Sequence, residues 1–108
     1  MRDLSREQLL AELRALRPEF ERRGVVALSI FGSRARGDNR PDSDVDLVID
    51  LAKNARFSLL DVVGLGQFVE DRLGIEANIF LRDDFDPSFQ RTFRRDGILI
   101  FEHEPVPT

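Results

Sequence analysis

Two aspartates, Asp44 and Asp46, stand one residue apart at the head of an apolar run, Val45-Asp46-Leu47-Val48-Ile49. In an extended strand, residues i and i+2 project from the same face, roughly 7 Å apart at the backbone. Carboxylates so placed can converge on one divalent cation or bridge two. Two cations about 3.5–4 Å apart can clamp a triphosphate and activate a hydroxyl for in-line displacement. The apolar neighbours predict an interior strand, and carboxylates at the mouth of such a strand are costly unless paired or metal-bound. The preceding Pro41-Asp42-Ser43-Asp44 also suits a loop in which the acids are simply turn formers.

Upstream lies Phe31-Gly32-Ser33-Arg34-Ala35-Arg36-Gly37, and nine residues separate its Gly32-Ser33 pair from Ser43-Asp44. A glycine after a strand lets the backbone turn sharply and approach a ligand with no Cβ in the way. A short helix starting at Ser33 would point free N–H groups outward with partial positive charge, an arrangement that favours phosphate. The serine hydroxyl adds a donor, and Arg34 or Arg36 can neutralise phosphate charge by a bidentate contact. Taken alone, the Gly-Ser pair is explained equally well by a plain strand–turn–helix connection with a capping serine.

Composition narrows what these residues can do. With no cysteine and one histidine in 108 residues, a metal here must be held by oxygen ligands, which suits Mg²⁺ or Mn²⁺. The net charge of −4 argues against a protein that coats nucleic acid, so no stable nucleic-acid binding is expected. Apolar residues at 42% and charged residues at 33% describe an ordinary globular mixture. No apolar run approaches the roughly 20 residues of a membrane span. The opening Met1-Arg2-Asp3-Leu4-Ser5-Arg6-Glu7 has acids and no apolar core, unlike a signal peptide. A single domain over 1–108, soluble and cytoplasmic, is the expectation.

The elements that must position the acids and the turn can be read from period and punctuation. Ser5 with Gln8 forms a capping box, and Leu9, Leu13, Leu16 and Phe20 follow at helical spacing; Pro18 breaks or kinks that helix and Gly24 caps its end. Val25–Phe31 and Val45–Leu51 read as strands, with polar residues filling 32–43 between them. Ser58 caps an apolar helix that ends at Gly74, and Ile75–Leu81 reads as a third strand. Asp86-Pro87 opens a short helix through Phe93, Gly97 stops it, and Ile98–Phe101 is a fourth strand before a frayed Pro105 and Pro107 tail. The order is α-β-β-α-β-α-β, an α/β (α+β) pattern. Two early strands without a helix of βαβ length between them predict a mixed sheet with helices packed on it.

The turn and the acids together, Phe-Gly-Ser-Arg-Ala-Arg-Gly at 31–37 and Pro-Asp-Ser-Asp-Val-Asp-Leu-Val at 41–48, resemble the DNA polymerase β-like nucleotidyltransferase superfamily. Their nearest likeness is its minimal branch, the MNT-type nucleotidyltransferases, and it extends through Gly74 to the closing Gly97-Ile98-Leu99-Ile100-Phe101. The resemblance implies the nucleotidyltransferase fold, with Gly32 and Ser33 holding a nucleotide's phosphates, Arg36 supporting the triphosphate, and Asp44 and Asp46 binding the divalent ions. It implies ATP or another NTP as substrate. It also implies a HEPN-domain partner, since many MNT proteins are antitoxins that can transfer AMP from ATP onto a HEPN toxin. A chain this short has no room for the extra domain that larger relatives use to hold acceptors, so a protein acceptor or a site completed by a partner is expected.

One position departs from the family's pattern. The resemblance puts a third carboxylate four residues after the helix-ending glycine, where it would ligate the metal or take the acceptor's proton. Here that residue is Asn78, which has a carbonyl oxygen but no charge and no basicity. Glu76, two residues earlier on the same strand face, can reach in with its longer side chain or sit on the solvent side. Three readings follow: a Mg²⁺-dependent transferase acting on a partner's hydroxyl, a weakened or inactive antitoxin that works by binding, and a transferase for a small hydroxylated molecule.

Other features read as structural. His103 between Glu102 and Glu104 reads as solvated, and Gly64-x-Gly66 as close packing of a helix against a neighbour, a second subunit included. The run Arg82-Asp83-Asp84-Phe85-Asp86 reads as a charged helix entry, and Arg91, Arg94 and Arg95 as a solvated face.

Overall fold

Seven-residue stretches dense in Val, Ile and Leu form the two central strands of the chain, β1 (Val25–Phe31) and β2 (Val45–Leu51). They pair antiparallel, with Phe31 opposite Asp46 and Leu28 opposite Ile49. A computed structural model describes residues 4–40 and 42–103; the opening Met1-Arg2-Asp3, Pro41 and the Glu104–Thr108 tail with its two prolines lie outside the described residues. β3 (Ala77–Leu81) runs parallel to β2, and β4 (Ile98–Glu102) antiparallel to β1. The sheet order is β3-β2-β1-β4, so the mixed sheet and the interior position of β2 are both as the sequence predicts.

Alternation along the strands divides the sheet into two faces. Leu28 and Ile30 of β1 and Val45, Leu47 and Ile49 of β2 pack into one core with three helices. These are α1 (Arg6–Ala15), α2 (Arg17–Arg22) and α4 (Leu59–Leu73), which contribute Leu9, Leu13, Phe20, Leu65, Val69 and Leu73. Phe20 is fully enclosed, its ring edge-on to Phe68 of α4 and tilted against Phe101 of β4. The opposite face carries Phe31, Asp46, Val48, Asp50, Asn78 and Phe80. The aromatic residues of α5 (Pro87–Asp96) pack there, with the Phe89 and Phe93 rings edge-on to Phe31.

The caps predicted from sequence are formed. Ser5 Oγ accepts from the Gln8 amide at 3.1 Å and Gln8 returns the bond, and Ser58 and Asp61 do the same at the head of α4. Asp86 Oδ1 accepts from the Phe89 amide at 2.7 Å at the head of α5. Three boundaries differ. The break expected from Pro18 is there but falls earlier, at Leu16 between α1 and α2, because the proline ring cannot share space with the carbonyl four residues before it. β3 begins at Ala77 rather than Ile75: Ile75 turns into the core while the Glu76 carbonyl takes the Val45 amide at 2.9 Å. α5 continues three residues past Phe93 to Asp96.

Of the two glycines in α4, Gly66 is the one that faces the sheet, while at Gly64 a Cβ would meet only the end of the Arg23 side chain at 3.9 Å. A Cβ on Gly66 would lie 3.7 Å from Ile79 and 4.0 Å from the Ala77 carbonyl, so the close neighbour is β3 of the same chain. Leu59, Leu60 and Val63 on the outer side of α4 are exposed. Among the described residues no helix is long and apolar enough to cross a membrane.

Candidate active site

The end of β1 and the start of β2 are neighbours in the sheet, which brings the Gly-Ser turn and the acids together. Gly32 has φ +79° and ψ −157°, backbone space that is essentially closed to residues with a Cβ. A Cβ on Gly32 would also lie 2.7 Å from Asp46 Oδ2. Conformation therefore requires glycine, and any Cβ would in addition displace the Asp46 carboxylate. After this turn a single helical turn, α3 (Ser33–Arg36), begins with the half-buried Ser33, and Gly37 closes it in the left-handed conformation.

The two arginines of α3 have different fates. Arg34 is buried, and its Nε donates to the Ser43 carbonyl at 2.9 Å, tying α3 to the residue just before Asp44. Arg36 is exposed; its Nε donates to Asp38 at 3.1 Å, and its Nη1 lies 3.9 Å from Asp96. Ser43 adds a second restraint, its hydroxyl accepting from the Arg40 amide at 3.0 Å. The loop that sets the position of Asp44 is thus fastened from both sides.

Asp44 and Asp46 flank the buried Val45, as the alternation requires, and both are half-buried. In the parallel register Asp46 is paired with Asn78. The Asn78 amide nitrogen donates to Asp44 Oδ2 at 3.2 Å and to Asp46 Oδ1 at 3.0 Å, so the side chain spans the pair. Glu76 interacts with Asp44. A side-chain hydrogen bond with Asp44, and then the charge of that carboxylate, hold the Glu76 carboxyl above its ordinary range, with desolvation and Glu70 adding to the effect. Among the described residues no group of three or more His, Cys, Asp or Glu side chains is arranged to hold a metal ion. The position facing both aspartates belongs to Asn78, not to a carboxylate.

Further along the same face, β2 presents Asp50. Burial raises its pKa, against the pull of Arg82, whose Nη2 lies 2.8 Å away. Arg82 also covers the Phe93 ring at 5.6 Å. Reading Arg82 as a solvated entry-loop charge is therefore corrected: a strand carboxylate and an aromatic face hold it. Arg95 is bonded to its neighbour Asp96, while His103 is exposed, with Nδ1 3.6 Å from Glu21. The sequence reading missed the ring cluster of Phe31, Phe80, Phe85, Phe89 and Phe93 beside the acids. Part of its signal was present, since Phe89 and Phe93 stand four residues apart on one face of α5, with Phe85 just before its cap.

A family profile described as a nucleotidyltransferase domain matches residues 13–100, from α1 to β4. The chain belongs to the nucleotidyltransferase-domain family. Similarity extends over the length of individual nucleotidyltransferases. The protein adenylyltransferase MntA of Thermococcus cleftensis is 30% identical over 98 residues, covering 90% of this chain and 97% of the relative. A candidate protein adenylyltransferase of Methanocaldococcus jannaschii is 34% identical over 74 residues, 68% of this chain and 77% of its own. A structure solved as a candidate minimal nucleotidyltransferase superposes with a TM-score of 0.74 at 32% identity, over 88% of this chain and 95% of that one. At 15% identity, the Shewanella oneidensis complex of a tri-AMPylated HEPN toxin with its MNT antitoxin shares the nucleotidyltransferase fold, with a TM-score of 0.59 over 94% of this chain and 73% of that one.

Proposed function

We propose that this chain is a Mg²⁺-dependent (or Mn²⁺-dependent) nucleotidyltransferase that moves AMP from ATP to a hydroxyl of a partner protein, as the antitoxin of a HEPN/MNT pair. The observation that carries the reading is that Asp46 Oδ2 lies 2.7 Å from where a Gly32 Cβ would be, which sets one of the two proposed metal-ligand carboxylates against a bend built for close approach. The donor set fits a hard divalent cation: two carboxylates, no cysteine, and a turn with room only while residue 32 lacks a Cβ. The relatives named protein adenylyltransferases support AMP as the group and a protein as the acceptor.

In this reading Asp44 and Asp46 hold the cation, which when bound supplies positive charge at the phosphates. Gly32 and Ser33 cradle the phosphate oxygens, and Arg36 exchanges Asp38 and Asp96 for the triphosphate. The acceptor hydroxyl oxygen forms a bond to the α-phosphorus, the bond to pyrophosphate breaks, and the hydroxyl proton leaves to a base. Asn78 cannot take that proton. Glu76, which interacts with Asp44 from the residue just before β3, is the carboxylate this reading offers for it.

A second reading has its own observation. Asn78 occupies the space between the aspartates, which suits an antitoxin that holds a nucleotide, or the partner alone, without transfer. Incubating the chain with its co-expressed partner, Mg²⁺ and α-labelled ATP separates the two. Label is expected on the partner, lost in Asp44→Asn and in Asp46→Asn. No label with any divalent ion would remove the transferase reading and leave the binding one.

A further inference from the structure

We propose that Asn78 limits the aspartate pair to a single divalent cation, the one that arrives with the nucleotide. The inference rests on the metal–nucleotide reading above and goes beyond it. An amide nitrogen is a donor only, and a cation cannot coordinate through an N–H group. Both of its hydrogens are directed at the acids, one to Asp44 Oδ2 and one to Asp46 Oδ1. Each aspartate therefore has one oxygen committed on the Asn78 side. The other oxygen of Asp46, Oδ2, lies at the Gly32 turn, where phosphate would enter.

The two sides of the pair are thus chemically different. The Gly32 side offers a carboxylate oxygen, free of any donor from Asn78, next to the phosphate turn. The Asn78 side offers two N–H groups where a two-cation site needs a further anionic ligand. Cations about 3.5–4 Å apart repel strongly, and each carboxylate removed from around them weakens the second more than the first. Two aspartates balance the charge of one divalent ion, not of two. Glu76 does not restore the balance, because it precedes the Ala77–Val45 pair of the parallel register and so falls level with Asp44, whereas Asn78 is the residue opposite Asp46. Asn78 acts through the aspartates as a positioning residue, keeping them spaced and oriented before any ion binds.

Counting bound Mn²⁺ by electron paramagnetic resonance, with the chain saturated by the non-hydrolysable analogue AMP-PNP, tests this directly. The natural chain is expected to bind one Mn²⁺ per AMP-PNP. Asn78→Asp is expected to bind two, the second at least about 10-fold more tightly than any further ion on the natural chain. Far-ultraviolet circular dichroism and a melting curve establish that the variant is folded, and the count on the natural chain needs no variant. Two ions on the natural chain, or one on folded Asn78→Asp, would overturn the inference and leave the metal–nucleotide site standing. No saturable Mn²⁺ with AMP-PNP on either protein would overturn both.

Discussion

At Gly32 a single missing methyl group decides whether two parts of the site can coexist. The residue's backbone sits in a region that costs on the order of 1–3 kcal/mol for other residues, and the space a Cβ would fill is held by Asp46. Gly32→Ala must therefore strain the turn and push the carboxylate away together. The expected result is a loss of about 1–3 kcal/mol in urea-unfolding free energy, with AMP-PNP binding by calorimetry weakened at least about 10-fold. A variant that kept native affinity would show that the turn does not position the nucleotide. Arg34 and Arg36 illustrate why charge alone did not assign roles at this scale. Both are arginines two residues apart in one short turn, yet one is a buried strut on the Ser43 carbonyl and the other is exposed beside Asp38. Which of them turns inward depends on the path of the loop after α3, and sequence spacing does not fix that path.

At the scale of elements, what was legible follows from local physics. The capping box at Ser5, the Ser58 cap, the Asp86-Pro87 helix start and the two central strands are set by residues within four positions of one another, and all formed where expected. The interior placement of β2 was legible too, from apolar residues on both of its faces. Non-local facts were not. The Asp50–Arg82 pair joins residues whose meeting requires the β2–β3 register. The Asn78 bridge is an intermediate case: the family likeness marked the position, and only the parallel pairing of Asp46 with Asn78 shows the amide spanning both acids. Phe20 shows how strongly the elements depend on one another. It stands on a six-residue helix too short to be stable alone, and its ring joins α2 to α4 and β4. Phe20→Ala is expected to cost about 3–5 kcal/mol in chemical denaturation, through lost burial and the cavity left behind. A cost below about 1 kcal/mol would mean that the three elements are not held through this ring.

For the molecule as a whole, small size turns ligand binding into a stability effect that is easy to read. A domain of about 100 residues has about 5–15 kcal/mol of net stability, and 1 kcal/mol moves its melting temperature by about 4–8 °C. A ligand at 100 times its Kd adds about 2.7 kcal/mol to the folded state. Mg²⁺ with AMP-PNP at that excess should therefore raise the melting temperature by on the order of 10 °C. The cation links the aspartates to the phosphates in this reading, so EDTA should abolish most of the shift, as should Asp44→Asn even with Mg²⁺ present. The partner enters the same linkage. If it completes the site, the chain and its partner together should bind AMP-PNP more tightly than the chain alone, and by reciprocity the nucleotide should tighten the complex by the same factor. Equal melting shifts with and without Mg²⁺ would separate nucleotide binding from the aspartates and move the site away from the Gly32 turn. A shift that needs both Mg²⁺ and Asp44 ties the stability of the entire fold to the junction between the first two strands.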